Sequence, residues 1–356
     1  MHDIATNELG ILLVLAFVIF VSPYFAKITK IPIAPIEIIF GTILGYFGLI
    51  EQSATFKLVA EVGFFYLMFL AGTEIDIRAL IKTDKQVLRL ALLYISILYI
   101  VAGITGVWSN ALFLTFVVVP VMSVGVLSTL FKEYGKNEPW LNTAMIAGGI
   151  GEVISIALLT LMSAYIEFGS SAELFSSIYY LILFIALCVL GFKGLEILFW
   201  WYPNIKIMLM PHDDKAEKDI RLSMALFFST VAVMIYLNLE IVLGAFIAGS
   251  FIATFFNHKK DLPHKLGSFG FGFLVPIFFV YIGTTVDLGY LFMPGVLDNA
   301  IKLMIFMTIV RVAASLIFIK RFGLYDSILF GLSLSMPLTL LVAVATVAYN
   351  AGNIPK

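Results

Sequence analysis

Apolar runs separated by short polar breaks set the rhythm of this chain. They predict twelve helices, over residues 9–26, 31–50, 58–77, 87–108, 110–131, 140–166, 174–201, 220–237, 240–256, 268–286, 300–319 and 324–349. About 20 apolar residues is the length a helix needs to cross the hydrocarbon core of a bilayer. Charge tests the count independently, because cytoplasmic loops collect Lys and Arg, and one misplaced span would scramble the alternation. The loops after helices 1, 3, 5, 7, 9 and 11 carry 2, 4, 2, 4, 3 and 2 Lys/Arg, whereas the opposite side holds only Lys57, Lys302 and Lys356. Lys193 and Arg311 fall within helices. The pattern places the basic loops inside and the N-terminus outside.

Composition agrees. Of 356 residues, 61% are hydrophobic and 13% charged, with a mean hydropathy of +1.05. Soluble domains run at about 45–50% apolar and about 25% charged, so the chain reads as an all-α integral membrane protein. Twelve spans leave only short loops and no room for a separate soluble domain. A net charge of −1 argues against a nucleic-acid partner. The single Cys188 lies inside an apolar run and forms neither an intrachain disulfide nor a Cys-rich metal site. His2, Asp3 and Glu8 precede the first run, where a cleaved signal peptide would have a basic segment.

The longest loop, roughly 202–219, holds Pro203, Pro211 and the charged stretch from His212 to Asp219, and it divides two copies of a pattern. Glu37-Ile-Ile-Phe-Gly41 in helix 2 matches Glu240-Ile-Val-Leu-Gly244 in helix 9. Gly72-Thr-Glu-Ile-Asp76 ending helix 3 matches Gly283-Thr-Thr-Val-Asp287 ending helix 10. Pro120 interrupts helix 5 as Pro337 interrupts helix 12. Each pair is seven helices apart, so the copies run through the bilayer in opposite directions. Inverted repeats with paired broken helices are the architecture of secondary transporters, with the ion site near the midplane. One transporter domain is expected over 1–356, with repeats over about 9–166 and 220–349 and a linker helix over about 174–201.

The stretches Lys30-Ile-Pro-Ile-Ala-Pro-Ile-Glu-Ile-Ile-Phe-Gly-Thr-Ile-Leu-Gly45 and Ala60-Glu-Val-Gly-Phe-Phe-Tyr-Leu-Met-Phe-Leu-Ala-Gly-Thr-Glu-Ile-Asp76 resemble helices 2 and 3 of the monovalent cation:proton antiporter-2 family. Bacterial Na⁺/H⁺ antiporters and Kef-type K⁺ efflux systems belong to it. Leu243-Gly-Ala-Phe-Ile-Ala-Gly249 and Pro276-Ile-Phe-Phe-Val-Tyr-Ile-Gly283 resemble its helices 9 and 10. The resemblance implies 13 helices, of which about 12 are present, in two repeats whose discontinuous helices 5 and 12 cross. It also implies a homodimer in the bacterial inner membrane. Helices 1–3 and 8–10 would form the scaffold, and 4–6 with 11–12 the moving core.

An ionisable group in mid-membrane costs roughly 2.5–3.5 kcal/mol on insertion scales, so it is a functional candidate by default. Two stand near helix centres: Glu152, in Ala147-Gly-Gly-Ile-Gly-Glu-Val-Ile-Ser155, and Arg311, in Thr308-Ile-Val-Arg-Val-Ala-Ala314. A carboxyl held between desolvation and a nearby cation can trade a proton for a metal cation near neutral pH. By the resemblance, residues 151 and 152 are the Asn-Asp or Asp-Asp pair that binds ion and proton; this chain has Gly151 and Glu152, one carboxylate instead of two. Arg311 falls where the family places Lys or Arg. The competing assignment is a purely structural buried ion pair between the two.

Pro120, Ser123 and Gly125 in helix 5, and Met336 and Pro337 in helix 12, mark the breaks. There a missing N–H loosens the helix, and freed carbonyls with the Ser123 hydroxyl can coordinate a cation. Glu37, Glu61 and Glu240 are secondary candidates, for gating or a polar path. Glu74, Asp76 and Asp287 sit at helix ends. All four histidines, His2, His212, His258 and His264, fall outside the spans.

These residues support secondary exchange of Na⁺ or K⁺ for H⁺ by alternating access, electroneutral on one carboxylate, with the cation as cargo and no further cofactor. A ligand-gated K⁺ efflux channel is the alternative, but few intramembrane polar residues could line its pore. A solute symporter of similar fold is another. A polytopic enzyme would need clustered His, Asp and Glu, which the pattern lacks.

Overall fold

The computed structural model describes residues 2–78, 82–108, 112–124, 127, 130, 138–168, 172–211, 216–256, 259, 261–291, 293–337, 340–342 and 344–345. All regular structure among them is helical. In chain order come α1 (His2–Thr29), α2 (Ile33–Tyr46), α3 (Ala54–Thr73), α4 (Lys85–Trp108), α5 (Leu112–Val118), α6 (Pro139–Phe168) and α7 (Ala172–Trp201). After the midpoint come α8 (Lys218–Tyr236), α9 (Ile241–Phe255), α10 (Leu262–Phe269, Gly270–Leu274, Val275–Thr285), α11 (Val296–Ser315, Leu316–Phe318, Ile319–Phe322) and α12 (Leu324–Ser333). Short helices Pro203–Leu209 and Leu288–Leu291 connect them.

The expected helices appear in order, with parts of the predicted 110–131 and 324–349 spans outside the described residues. Eight described helices are long and apolar enough to cross a bilayer, and Ile33–Tyr46 and Ile241–Phe255 are shorter apolar helices. Both short helices follow a tight backbone constraint. Gly48 (φ +67°) lets the Gly48 and Leu49 amides bond back to the Gly45 and Leu44 carbonyls, which closes α2. Asn238 (φ +51°) does the same after α8, with bonds to Ile235 and Met234, and α9 starts at once. The predicted helix 10 begins six residues earlier than expected and carries a π-turn at Gly270–Leu274. Gly270 lies against Tyr66 and Leu70, and the Tyr66 hydroxyl donates to the Leu266 carbonyl at 3.1 Å.

The helices group into two compact units. Residues 1–70 with 261–300 form one, and 71–260 with 301–354 the other. In the first, α2 and α10 run in close backbone contact. Gly41 meets the Val280 carbonyl and Gly283 meets the Ile38 carbonyl, so a Cβ at either would collide with main chain. Small residues permit this approach where the bilayer gives no hydrophobic drive between helices. Ile11, Leu15, Val18, Ile50, Phe56, Ile277 and Val280 fill the interior beside them. In the second unit the repeat recurs: Gly72, partner of Gly283, meets the Phe246 carbonyl of α9, as Gly283 meets α2. Helices α8 and α9, expected with the scaffold, group here with α4–α7, α12 and most of α11.

Candidate functional site

The α5 helix ends at Val118, and residues 121–123 have no regular structure. Pro120 supplies no N–H there, and in a bilayer each freed polar group must find a partner inside the protein. The segment is fully packed, with Val119, Val121, Met122 and Val124 at 0% exposure.

Two charged side chains hold it. Glu152 of α6 accepts the Val124 amide at Oε2 (3.0 Å) and the Ser123 hydroxyl at Oε1 (3.4 Å). Arg311 of α11 donates from Nη2 to the Val121 carbonyl at 2.6 Å and from Nη1 to Met307 at 3.4 Å. Both are at 0% exposure. No ion pair joins them among the described residues; each grips a different end of one four-residue segment. The structural-pair assignment therefore does not describe their geometry. Arg311 Nε is buried without an acceptor, and the equally buried Tyr94 hydroxyl, within electrostatic reach of the guanidinium, lacks a partner too.

Glycines on α6 seat the break. A Cβ on Gly151 would strike Met122, and one on Gly148 would lie 2.7 Å from Leu127, 3.2 Å from Leu334 and 3.3 Å from Val124. Leu334 belongs to the α12 break, so both interruptions converge on the Gly148 turn of α6. Met122 fills the space beside residue 151, where the family's first acid would be.

The α12 break runs from Leu334 through Pro337, with Pro337 buried and Met336 65% uncovered by the rest of the chain. Ser335 bonds to Leu332 through its amide and to Gly331 through its hydroxyl, and the Leu341 amide returns to the Pro337 carbonyl. Gly125, His212 and His258 lie outside the described residues. The structure thus brings together Glu152, Ser123, Arg311 and Pro120. The secondary acids have partners or places of their own. Glu61, in the first unit, pairs with Lys57 one turn away at 3.8 Å. Glu37, 3% exposed, is in that unit as well. Glu240 accepts a hydrogen bond from Ser163 at 3.0 Å, far along α6. Sequence reasoning missed Met122, the Val121 carbonyl and Tyr94. A carbonyl leaves no sequence signal, and Met122 and Tyr94 read as ordinary apolar-run residues.

Buried opposite charges on a broken helix, within an inverted repeat, define a multi-pass membrane protein of the discontinuous-helix type. The family model for sodium/hydrogen exchangers, transmembrane, matches residues 14–356, and the chain belongs to that family, which is one of transporters. The match lies on the sodium/hydrogen exchanger side of the resemblance. YjbQ of Bacillus subtilis, which bears the name of a Na⁺/H⁺ antiporter, is 27% identical over 96% of this chain and 58% of its own length. The chain thus spans little more than half of that relative. GerN of Bacillus cereus, named a Na⁺/H⁺-K⁺ antiporter, is 23% identical over 79% of this chain and 70% of its own. The solved sodium proton antiporter MjNhaP1 of Methanocaldococcus jannaschii superimposes with a TM-score of 0.64 at 16% identity, covering 98% of this chain and 90% of that one, and so shares the fold.

Proposed function

We propose that this protein exchanges a monovalent cation for H⁺ by alternating access, with Glu152 as the group that both bind. One observation carries the reading: a fully buried carboxylate faces a broken, hydroxyl-bearing backbone segment whose other end is held by a buried arginine. Glu152, the Ser123 hydroxyl and freed carbonyls form a hard-oxygen ligand set suited to Na⁺, K⁺ or Li⁺. The cation and the proton then compete for one carboxylate, so only one is carried at a time. Arg311 stays charged at any accessible pH and carries no proton. With Gly151 in place of a second acid, the cycle exchanges one H⁺ for one cation and moves no net charge. GerN's name includes K⁺ beside Na⁺, in keeping with a ligand set that does not single out one alkali cation. The basic loops orient the chain with its N-terminus outside, in a bacterial inner membrane. The outer face of α1, with Leu12, Leu13, Phe17 and Phe20 all more than half uncovered, suits lipid or the second subunit of a homodimer.

Reconstituted vesicles loaded with a pH-sensitive dye test this directly. Addition of Na⁺, K⁺ or Li⁺ is expected to collapse a preset pH gradient saturably, and clamping the membrane potential at zero with valinomycin and equal K⁺ on both sides is expected to leave the Na⁺-driven rate unchanged. Stepwise single-channel conductance would instead support the channel reading.

A further inference from the structure

The face of the second unit that carries the 237–240 connection holds a cavity of about 270 Å³ outside the site described above. Its polar lining comes from Thr160 and Ser163 of α6, Ser177 of α7, and Asn238 and Glu240 at the α8–α9 turn. The charge alternation places this face outside. Among the described residues lining it, Glu240 is the charged one.

The turn is built to present these groups. Asn238 takes the left-handed conformation that closes α8, with its amide bonded to Ile235 and that of Leu239 to Met234. Glu240 then stands at the N-cap of α9. Its carboxylate makes no capping bond there and instead accepts the Ser163 hydroxyl at 3.0 Å. Neither the Ser177 hydroxyl nor the Asn238 side chain bonds to any described residue, so both leave oxygens for a ligand. The cavity has room for several waters, at about 30 Å³ each. One carboxylate, two or three hydroxyls and an amide oxygen match a single positive charge that keeps part of its hydration shell.

The cavity also lies on the stripe of α6 that leads to Glu152. Ser163 is eleven residues beyond Glu152, so it is about 16 Å further along the helix and only about 20° around it. Between them in sequence stand the buried Ser155 and Thr160, on either side of that line. We propose that this cavity is an outer waiting site for a hydrated monovalent cation, with Glu240 as the attracting charge and Ser163, Ser177 and Asn238 as neutral ligands. The positive end of α9 beside Glu240 weakens the hold, which suits a site that passes its ion on. The inference rests on the exchange reading for its role, though cation binding in the cavity does not.

The test uses the full chain, whose single cysteine makes a thiol-free background available through Cys188→Ser. Ile178→Cys then places a reporter in the apolar part of the cavity wall. Cationic and neutral methanethiosulfonates are applied from outside, in saturating NaCl or in N-methyl-D-glucamine chloride at equal ionic strength. The cationic reagent is expected to lose about three- to tenfold of its rate advantage when Glu240→Gln is added. Na⁺ should slow that reagent only while Glu240 is present. In sided vesicles, Glu240→Gln or Ser177→Ala should raise half-saturating Na⁺ severalfold from outside and leave the inner value unchanged. A reagent ratio indifferent to Glu240, or equal shifts from both sides, overturns the proposal. Because the thiol readout needs no transport, Na⁺ protection that survives in a Glu152→Gln protein separates a failure of the exchange assignment from a failure of this one.

Discussion

The two interrupted helices occupy equivalent places in the repeats, yet they are held in different ways. At α5 the unwound segment is buried throughout and clamped at both ends by charge, Glu152 on the Val124 amide and Arg311 on the Val121 carbonyl. At α12 the interruption is satisfied locally, by Ser335 and the Pro337 carbonyl, and Met336 is left uncovered. The inverted repeat therefore duplicates the backbone and not the chemistry. A proline suffices to break a helix, but an unwound segment buried on all sides needs donors and acceptors brought from other helices. In this protein those partners are titratable or charged, so under the exchange proposal satisfying the backbone and binding an ion become one task. The same proposal has a cation displacing the Val124 amide or the Ser123 hydroxyl from Glu152, which would loosen the break.

The largest effect should come from the carboxylate. Glu152→Gln keeps an oxygen for the Val124 amide and removes the proton site, so the protein should fold and insert while exchange falls by at least about 100-fold. Normal exchange by that variant in dye-loaded vesicles would remove Glu152 from the mechanism. Arg311 comes next. Arg311→Met strands the buried Val121 carbonyl at a cost of about 1–3 kcal/mol, which thermal unfolding in detergent should register beside a severe loss of exchange. Arg311→Lys keeps the charge but loses the planar fork, and should recover part of the activity. Equal behaviour of the Met and Lys variants would show that Arg311 acts through packing alone.

Gly151 gives a smaller effect with a clear diagnostic. Gly151→Ala pushes a methyl into Met122, an overpacking worth about 1–3 kcal/mol, and exchange should fall about tenfold. Adding Met122→Ala restores the space, so the pair should couple strongly in a double-mutant cycle. Additive losses would mean that Met122 does not seat the break.

Much of this was legible beforehand, for reasons that can be stated. The spans follow from oil-to-polar contrast, and the opposite directions of the repeats follow from charge alternation and two Gly-containing motifs. Gly72 and Gly283 then prove to be contact points against main-chain carbonyls, a role only glycine can fill there. Glu152 and Arg311 stood out because charge at a helix centre is costly. Their separation did not stand out: opposite buried charges suggest a pair, and only the fold inserts residues 121–124 between them. Glu61 has a local i,i+4 partner in Lys57, which the sequence spacing itself shows. The grouping of α8 and α9 with the second unit depends on side packing of nearly uniform apolar helices, which leaves little pattern to read.

The smallest expected effects concern the prolines. Pro120 lies three residues from Ser123 of the proposed site, so Pro120 looks the more critical. The geometry argues otherwise. With Pro120→Ala an N–H becomes available, but rewinding α5 would have to pull Val121 from Arg311 and Val124 from Glu152. Those charged contacts are worth about 1.5–3 kcal/mol each, more than one restored helical bond returns. The break should persist and exchange should stay within about twofold of the parent, a difference of about 0.4 kcal/mol in barrier. At α12 no charged side chain among the described residues bonds to the break. Pro337 also starts the helical turn whose Leu341 amide bonds back to it, a position where its fixed φ is preorganised. Pro337→Ala removes both the block and the preset angle, and should lower exchange severalfold. Initial rates of dye recovery for the two variants, normalised to reconstituted protein, decide the matter; a larger loss from Pro120→Ala would show that proline, and not the Glu152–Arg311 clamp, keeps α5 open.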